Sequence, residues 1–269
     1  MKTVLITGSS SGIGKATAKL FQKHGWNVAA TMRSPEKEEE LSRLKNVKCC
    51  KLDVADRESI DRAVKDILKH FGNIDVVVNN AGYGTKGLFE AATIEDAKKL
   101  FDVNVFGIMN VMWAVLPHFR SKKSGVIINI SSQAGAMGVP LNTFYNSSKY
   151  AVEGLSESIM YELESINVKM KLILLASINT RFLKSSKFYE DSNLTEYSHF
   201  NNVVMPQMKK YLSSGESPEV VAKEIYTAAT DGKSKLRYFA GKGIKFSYRI
   251  NRILPFSRFR VIVRKRFNL

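Results

Sequence analysis

The 269 residues can bury one full core, and 44% apolar with 25% charged residues is the composition of a soluble globular chain. No apolar run in the sequence approaches the length of a membrane span, and Cys49, Cys50 and four scattered histidines offer neither a disulfide framework nor metal-ligand spacing. The net charge of +16 admits nucleic acid, an anionic membrane or an acidic protein as partner, but twelve basic residues and no acidic one lie between Lys233 and Leu269, so the carboxyl terminus carries most of the excess.

The first element is a strand at Thr3–Thr7. Its apolar stretch is too short for a signal peptide and runs straight into a glycine-rich turn, so a cytoplasmic protein is expected. A helix over Gly12–His24 follows, with Gly25 as C′ residue, then strands at Asn27–Thr31 and Val47–Leu52. Asp56 as N-cap and Gly72 at C′ bracket a helix over Arg57–Phe71. Next come strand Ile74–Asn79, a helix in the Asp102–Phe119 region, strand Gly125–Ser131 and helix Thr143–Ser165. Strand Lys169–Leu175, helix Pro218–Thr230 and a seventh strand near Leu236–Phe239 complete the series. Short β-rich runs alternating with helices predict one α/β domain over residues 1–240, a single doubly wound parallel sheet of about seven strands with helices on both faces.

The first strand runs into Thr7-Gly8-Ser9-Ser10-Ser11-Gly12-Ile13-Gly14. Glycines at this spacing let the backbone turn tightly and approach a pyrophosphate, and the helix they open offers unpaired N–H groups to the phosphates. A strand before and a helix after are the context such a motif needs. With this Gly-x-x-x-Gly-x-Gly spacing and the motifs that follow, the chain resembles the short-chain dehydrogenase/reductase family. It is most similar to the steroid- and retinol-dehydrogenase-like branch. The resemblance implies a Rossmann-type fold with Gly8, Ser10, Ser11, Gly12, Ile13 and Gly14 at the cofactor. Members that prefer NAD usually carry an acidic residue where Met32 stands. Arg33, one position on, is similar to the NADP-preferring pattern, in which a guanidinium pairs with the 2′-phosphate, and Ser34 adds a hydroxyl donor. NADP(H) is therefore the favoured cofactor and NAD(H) the alternative, although Ser11 stands where many NADP members have a basic residue. Asp53 and Val54 match the family's adenine contact, and Asn80, Ala81 and Gly82 match the loop at the adenosine ribose. Ordinary turn chemistry is the other reading of both short motifs.

Tyr145-Asn146-Ser147-Ser148-Lys149 sets a tyrosine and a lysine four apart, hence on one face of a helix. A free tyrosine has a pKa of about 10. A nearby ammonium and the positive nicotinamide ring of an oxidised cofactor favour the phenolate and bring its pKa toward working pH. A second match, Tyr238 to Lys242, falls at a predicted strand end and includes Gly241, so no helix aligns it. Ser132 precedes Tyr145 at the separation of the family's catalytic serine, with Ser131 the alternative. Asn104 matches the family's fourth catalytic residue, whose carbonyl neighbourhood holds a water that links the lysine to solvent. A helix-interior polar residue bonded to backbone is its other reading. The motifs stand in family order over residues 1–240. Where the family has Pro-Gly-x-Ile/Val-x-Thr, this chain reads Leu175-Ala176-Ser177-Ile178-Asn179-Thr180. Ile178 and Thr180 remain to meet the nicotinamide carboxamide, while the turn lacks glycine's freedom.

Residues 181–212 read as a substrate lid rich in large apolar side chains, Phe182 among them, and Met137, Val139 and Leu141 flank the Ser132–Tyr145 stretch. Apolar groups converging from two loops point to a small lipophilic alcohol or ketone; a lid that packs on its own domain is the alternative. The extension 241–269 interleaves aromatic and aliphatic residues with basic ones. That composition suits either a peripheral helix on an anionic membrane or a helix docked on the core. No nucleic-acid motif accompanies the charge, so no nucleic-acid partner is expected. Three functions are compatible with these motifs. The first is an NADP(H)-dependent oxidoreductase interconverting a secondary alcohol and a ketone. The second is a 3-oxoacyl-carrier-protein reductase, although that branch normally ends soon after the seventh strand. The third is a redox sensor that binds NADP(H) without turnover. The resemblance further implies a homo-oligomer, dimer or tetramer.

Overall fold

Parallel strands buried on both faces make up the centre of the molecule. The computed structural model describes every residue except 181–185 and 214. Strands β1 (Thr3–Ile6), β2 (Asn27–Met32), β3 (Val47–Lys51), β4 (Val76–Asn79), β5 (Thr85–Gly87), β6 (Gly125–Ile130), β7 (Val168–Leu175), β8 (Lys187–Tyr189) and β9 (Arg237–Ala240) follow in chain order. Between them lie helices α1 (Gly12–Lys23), α2 (Glu39–Ser42), α3 (Arg57–Phe71), α4 (Ile94–Phe101), α5 (Gly107–Lys122), α6 (Thr143–Glu164), α7 (Ser198–Ser213) and α8 (Pro218–Thr230). Helices α9 (Ile244–Ile253) and α10 (Phe256–Arg266) close the chain.

Seven strands pair in parallel in the order β3-β2-β1-β4-β6-β7-β9. Side-chain alternation divides the core between the two faces. Leu5, Ala29, Val77 and Ile127 face α3, α5 and α6, whereas Val4, Ile6, Val28 and Val76 face α1 and α8. All residues of β1, β2 and β4 are buried, as helices on both faces require. Connections run one way from β1 to β2 and the other way from β4 onward, so the carboxyl ends of β1 and β4 open a crevice.

Four features differ from the sequence expectations. Strand β4 begins at Val76 rather than Ile74, because Asp75 turns its carboxylate to accept from the Thr3 N–H at 2.7 Å. The helix expected around Asp102–Phe119 is part of a longer run, in which α4, a π-turn over Asp102–Phe106 and α5 join. This run, Ile94–Lys122, is long and apolar enough to cross a membrane, contrary to the sequence reading. Its Ile108, Val111, Met112, Val115 and Phe119 nevertheless belong to the core beneath the sheet. Strands β5 and β8 form a small parallel pair that the sequence did not signal, since three residues are too few to show a period.

The extension folds as two helices separated at Pro255 and docks on the domain. Ile244, Phe259 and Phe267 are buried; Asn251 Nδ2 donates to the Ala136 carbonyl at 2.5 Å, and Arg252 pairs with Glu157 at 3.5 Å. The basic residues interleaved with these anchors stay at the surface.

Candidate active site

The loop after β1 is shaped by close backbone approaches. Gly8 and Gly12 have φ of +68° and +54°, a region that disfavours other residues. A Cβ on Gly14 would lie 2.4 Å from the Gly8 carbonyl oxygen, so Gly14 serves packing inside the loop and does not line the cleft. Asn80 Nδ2 donates to the Thr7 and Gly8 carbonyls at 2.9 and 3.1 Å, and the Asn80 and Ala81 N–H groups donate to Thr7 Oγ1 at 3.0 Å. The Asn79–Gly82 segment thus braces the glycine loop. Ser11 caps α1 without a side-chain hydrogen bond, and no acidic residue occupies the first turn. The N–H groups there remain suited to an anion.

One cleft of about 710 Å³ runs from this loop across the carboxyl ends of the strands. Gly8, Ser10, Ser11, Gly12, Ile13, Arg33, Asp53, Val54, Asn80, Ala81 and Gly82 line one part. Ser132, Met137, Val139, Tyr145, Lys149, Ile178 and Thr180 line another. Arg33 has no ion-pair partner among the described residues. Asp53 Oδ1 accepts from the Ala55 N–H at 3.0 Å, so it also serves the turn after β3. Thr180 reaches back across the cleft: a Cβ on Gly12 would sit 3.3 Å from it. The segment that lacks Pro-Gly is held instead by Glu216. The Asn179 N–H donates to the Glu216 carbonyl at 2.7 Å, and the Glu216 N–H donates to the Ser177 carbonyl at 3.1 Å. None of Leu175–Thr180 has positive φ, so the turn needs no glycine. The cradle, the free helix terminus and the cleft's extent together fit a dinucleotide.

At the far end, Ser132 and not Ser131 faces Tyr145. The Ser132 hydroxyl hydrogen-bonds the phenol and accepts from the Ala134 N–H at 3.1 Å, while Ser131 lies on the opposite side against Gly135 and Glu153. Lys149 shares the Tyr145 face of α6, with Nζ 5.7 Å from the ring centroid, and donates to the Ile130 carbonyl at 2.8 Å. Burial pushes the Tyr145 phenol up to about 12, with Ser132 opposing the rise and Tyr211 adding to it. Burial also pushes the Lys149 ammonium down to about 8, partly offset by Glu153. The expected depression of the tyrosine by its lysine neighbour is therefore outweighed by desolvation, since the ammonium is turned to a backbone carbonyl. Glu153 in turn pairs with Arg237 on β9 at 3.0 Å.

Four sequence-derived candidates stand apart from the cleft, and a fifth lies outside the described residues. Asn104 sits behind the cleft in the π-turn. Its Nδ2 donates to the Tyr83 carbonyl at 2.9 Å and to Ser148 Oγ at 3.2 Å, and its Oδ1 accepts from the Tyr83 N–H at 3.0 Å. It holds the Tyr83 segment against α6. Leu141, with φ of +57°, packs instead with Leu88, Val204, Met208 and Phe267. Ser34 caps the short turn Pro35–Lys37 and Gly14 packs as described. Phe182 falls within 181–185. Tyr238 of the second Tyr-x-x-x-Lys match is buried on β9, where it donates to Asp231 Oδ2 at 2.7 Å and accepts from Lys171 Nζ at 3.0 Å. That match is structural.

Other lining residues had escaped the sequence reading: Tyr83, Lys86, Gln133, Asn142 and Tyr211. Tyr211 donates to Gln133 Oε1 at 2.8 Å, and the Arg266 guanidinium lies 4.6 Å from its ring centroid. Val204, Met208, Tyr211 and Leu212 recur at helical spacing on α7, a signal masked by Pro206. The tail supplies Phe246, Ile250, Phe259, Ile262 and Phe267 to the same cleft, so it completes the apolar wall.

A parallel doubly wound sheet, a glycine cradle at its switch point and a Ser–Tyr–Lys cluster define a nucleotide-dependent oxidoreductase. A family model described as short chain dehydrogenase matches residues 2–190. The 3-ketodihydrosphingosine reductase of Bacteroides thetaiotaomicron is 39% identical over 187 residues, covering 70% of this chain and 68% of its own. Human retinol dehydrogenase 8 is 32% identical over 254 residues, covering 88% and 80%. The solved structure of ElxO with NADP bound superposes with a TM-score of 0.76 at 29% identity, covering 91% of this chain and 99% of that one. The chain belongs to the short-chain dehydrogenase/reductase family and is an NAD(P)-dependent oxidoreductase acting on CH–OH groups.

Proposed function

We propose that the protein interconverts a secondary alcohol and a ketone on a lipophilic substrate, with NADP(H) as cofactor and Tyr145 as acid/base. The observation that carries this reading is the Ser132–Tyr145–Lys149 cluster opening on the same cleft as the glycine cradle. Hydride donation or acceptance is the chemistry the nicotinamide supplies when bound. Tyr145 gives its phenolic proton to the carbonyl oxygen as the alcohol forms, and takes it back in the reverse direction. The Ser132 hydroxyl, already bonded to the phenol, holds that oxygen. Lys149 contributes positive charge beside the phenol and so favours its ionised form. Asn104 supports the arrangement from behind through Tyr83 and Ser148. Arg33, free of an acidic partner among the described residues, supports the NADP preference, and the apolar wall of α7, α9 and α10 supports a lipophilic substrate. NADPH oxidation by a panel of lipophilic ketones tests the reading. Turnover should fall by about a hundredfold or more in Tyr145→Phe, with NADPH binding retained. A variant as active as the wild type overturns the assignment.

The basic tail supports a peripheral contact with an anionic lipid surface from which such a substrate is drawn. Ile253 and Phe256, 80% and 79% exposed, lie on either side of Pro255 among basic residues. Exposed Phe106 and Trp113 on the Ile94–Lys122 run support a homo-oligomer.

A further inference from the structure

The cleft contains a buried cation that the proposed chemistry leaves unused. Lys86, the middle residue of β5, is 6% exposed and lines the cleft beside Tyr83 and Asn142. Its Nζ donates to Ser186 Oγ at 3.3 Å and lies 5.8 Å from the Phe188 ring centroid. No carboxylate pairs with it among the described residues, and residues 181–185 and 214 include no Asp or Glu. Burial alone acts on its ammonium, pushing it down to about 8. Such an ammonium is an expense to the fold that a methionine of similar length avoids.

The surrounding charge is one-sided. Arg33, Lys149 and Arg266 also line the cleft, and Asp53, at the end near Arg33, is the only carboxylate among the described lining residues. The remaining wall is largely apolar, from Met208 and Leu212 on α7 and from the two tail helices. A neutral apolar substrate would leave Lys86 uncompensated, and one with an ammonium head would be repelled. Lys86 is a point charge that a carboxylate's single negative charge matches one for one, whereas a phosphate dianion would carry a second charge into the largely apolar wall.

We infer that Lys86 is the anion subsite of the substrate cleft, taking the carboxylate of an amphiphilic alcohol or ketone whose hydrocarbon portion lies against α7 and the tail helices. This rests on the reading of the cleft as the site of a lipophilic substrate. It narrows that substrate to a lipophilic acid.

The test measures binding, so that it stands apart from turnover. Dodecanoate and methyl dodecanoate are titrated calorimetrically into the full-length, NADPH-saturated protein, with unfolding temperatures checking that each variant is folded. Wild type should bind the acid at least about tenfold more tightly than the ester, as one charge-assisted contact in a dry site provides. Lys86→Met should lose that preference through weaker binding of the acid, and Lys86→Arg should keep it. Should Lys86→Met not fold, Lys86→Gln takes its place with the same expectation. Equal affinities in wild type, or a preference that survives in the neutral variant, overturn the assignment. Loss of preference in Arg266→Ala but not in Lys86→Met also overturns it. A failure of every ketone to oxidise NADPH would count against the catalytic reading alone, because these affinities do not depend on turnover.

Discussion

Lys149→Met should inactivate the protein and yet stabilise it at neutral pH. The lysine is 6% exposed, and burial brings its ammonium from 10.5 to about 8, so keeping it charged at pH 7 costs the fold about 3 kcal/mol. Methionine removes that cost but leaves the Ile130 carbonyl without the 2.8 Å donor, a loss of about 1 kcal/mol. The net gain of about 2 kcal/mol corresponds to a rise in Tm of about 4–8 °C for a chain of this size. Below pH 8 the cost is present in full. Between about 8 and 10.5 the unfolded chain binds the proton more tightly, so wild-type stability climbs with pH and the variant's advantage disappears. Lys86, lowered in the same way, contributes equally to both proteins and cancels in the comparison. Tyr145, raised to about 12, acts in the opposite sense above pH 10, where both proteins begin to lose stability alike. Thermal and urea unfolding followed by circular dichroism at pH 7 and pH 10, with turnover measured in parallel, reads all of this. A variant less stable at pH 7, or a difference unchanged between the two pH values, refutes the reasoning.

Two further expectations follow from the cleft and the tail. Arg33→Ala should weaken NADPH binding by about 1–3 kcal/mol with NADH affinity nearly unchanged, because the guanidinium has no acidic partner to lose among the described residues. Fluorescence titration with each cofactor checks it, and equal losses would make Arg33 a supporting residue of the fold. The protein should sediment with anionic vesicles, less with neutral ones, and progressively less as salt rises. Ile253→Asp combined with Phe256→Asp should abolish that sedimentation without altering the circular dichroism spectrum, as both side chains are exposed. Vesicle binding unchanged by the pair, or absent from wild type at low salt, removes the membrane contact.

The parts of the fold legible in the sequence are those with a local cause. Asp56 and Gly72 were readable as helix ends, and the structure has Asp56 accepting from the Ser59 N–H at 3.1 Å and Gly72 at φ +75°. Tyr145 and Lys149 were readable because four residues make a helical neighbour pair. Other features depend on distant segments. The Asn104 side chain serves Tyr83 and Ser148 rather than the cleft, which only the packing of the π-turn against α6 determines. Leu141 does not line the cleft but packs behind it with Leu88, Val204 and Phe267, the last a residue far along the chain. The burial of Lys86 has no signature in a three-residue strand, and the tail's contribution to the wall could not be distinguished by composition from a membrane helix.

Desolvation acts on both members of the Tyr145–Lys149 pair and draws each toward its neutral form, the phenol upward and the ammonium downward. The consequences for the two directions of reaction differ. In the proposed role Tyr145 is the acid of the reduction, and a phenol held at about 12 carries its proton throughout the physiological range. In oxidation it must serve as base, and the protein's own charges leave it too weakly acidic for that. Lys149 favours the ionised phenol only weakly from where it lies, with Nζ on the Ile130 carbonyl and its own charge weakened by burial. Oxidation therefore demands additional positive charge close to the phenol, while reduction draws on what the folded chain already holds.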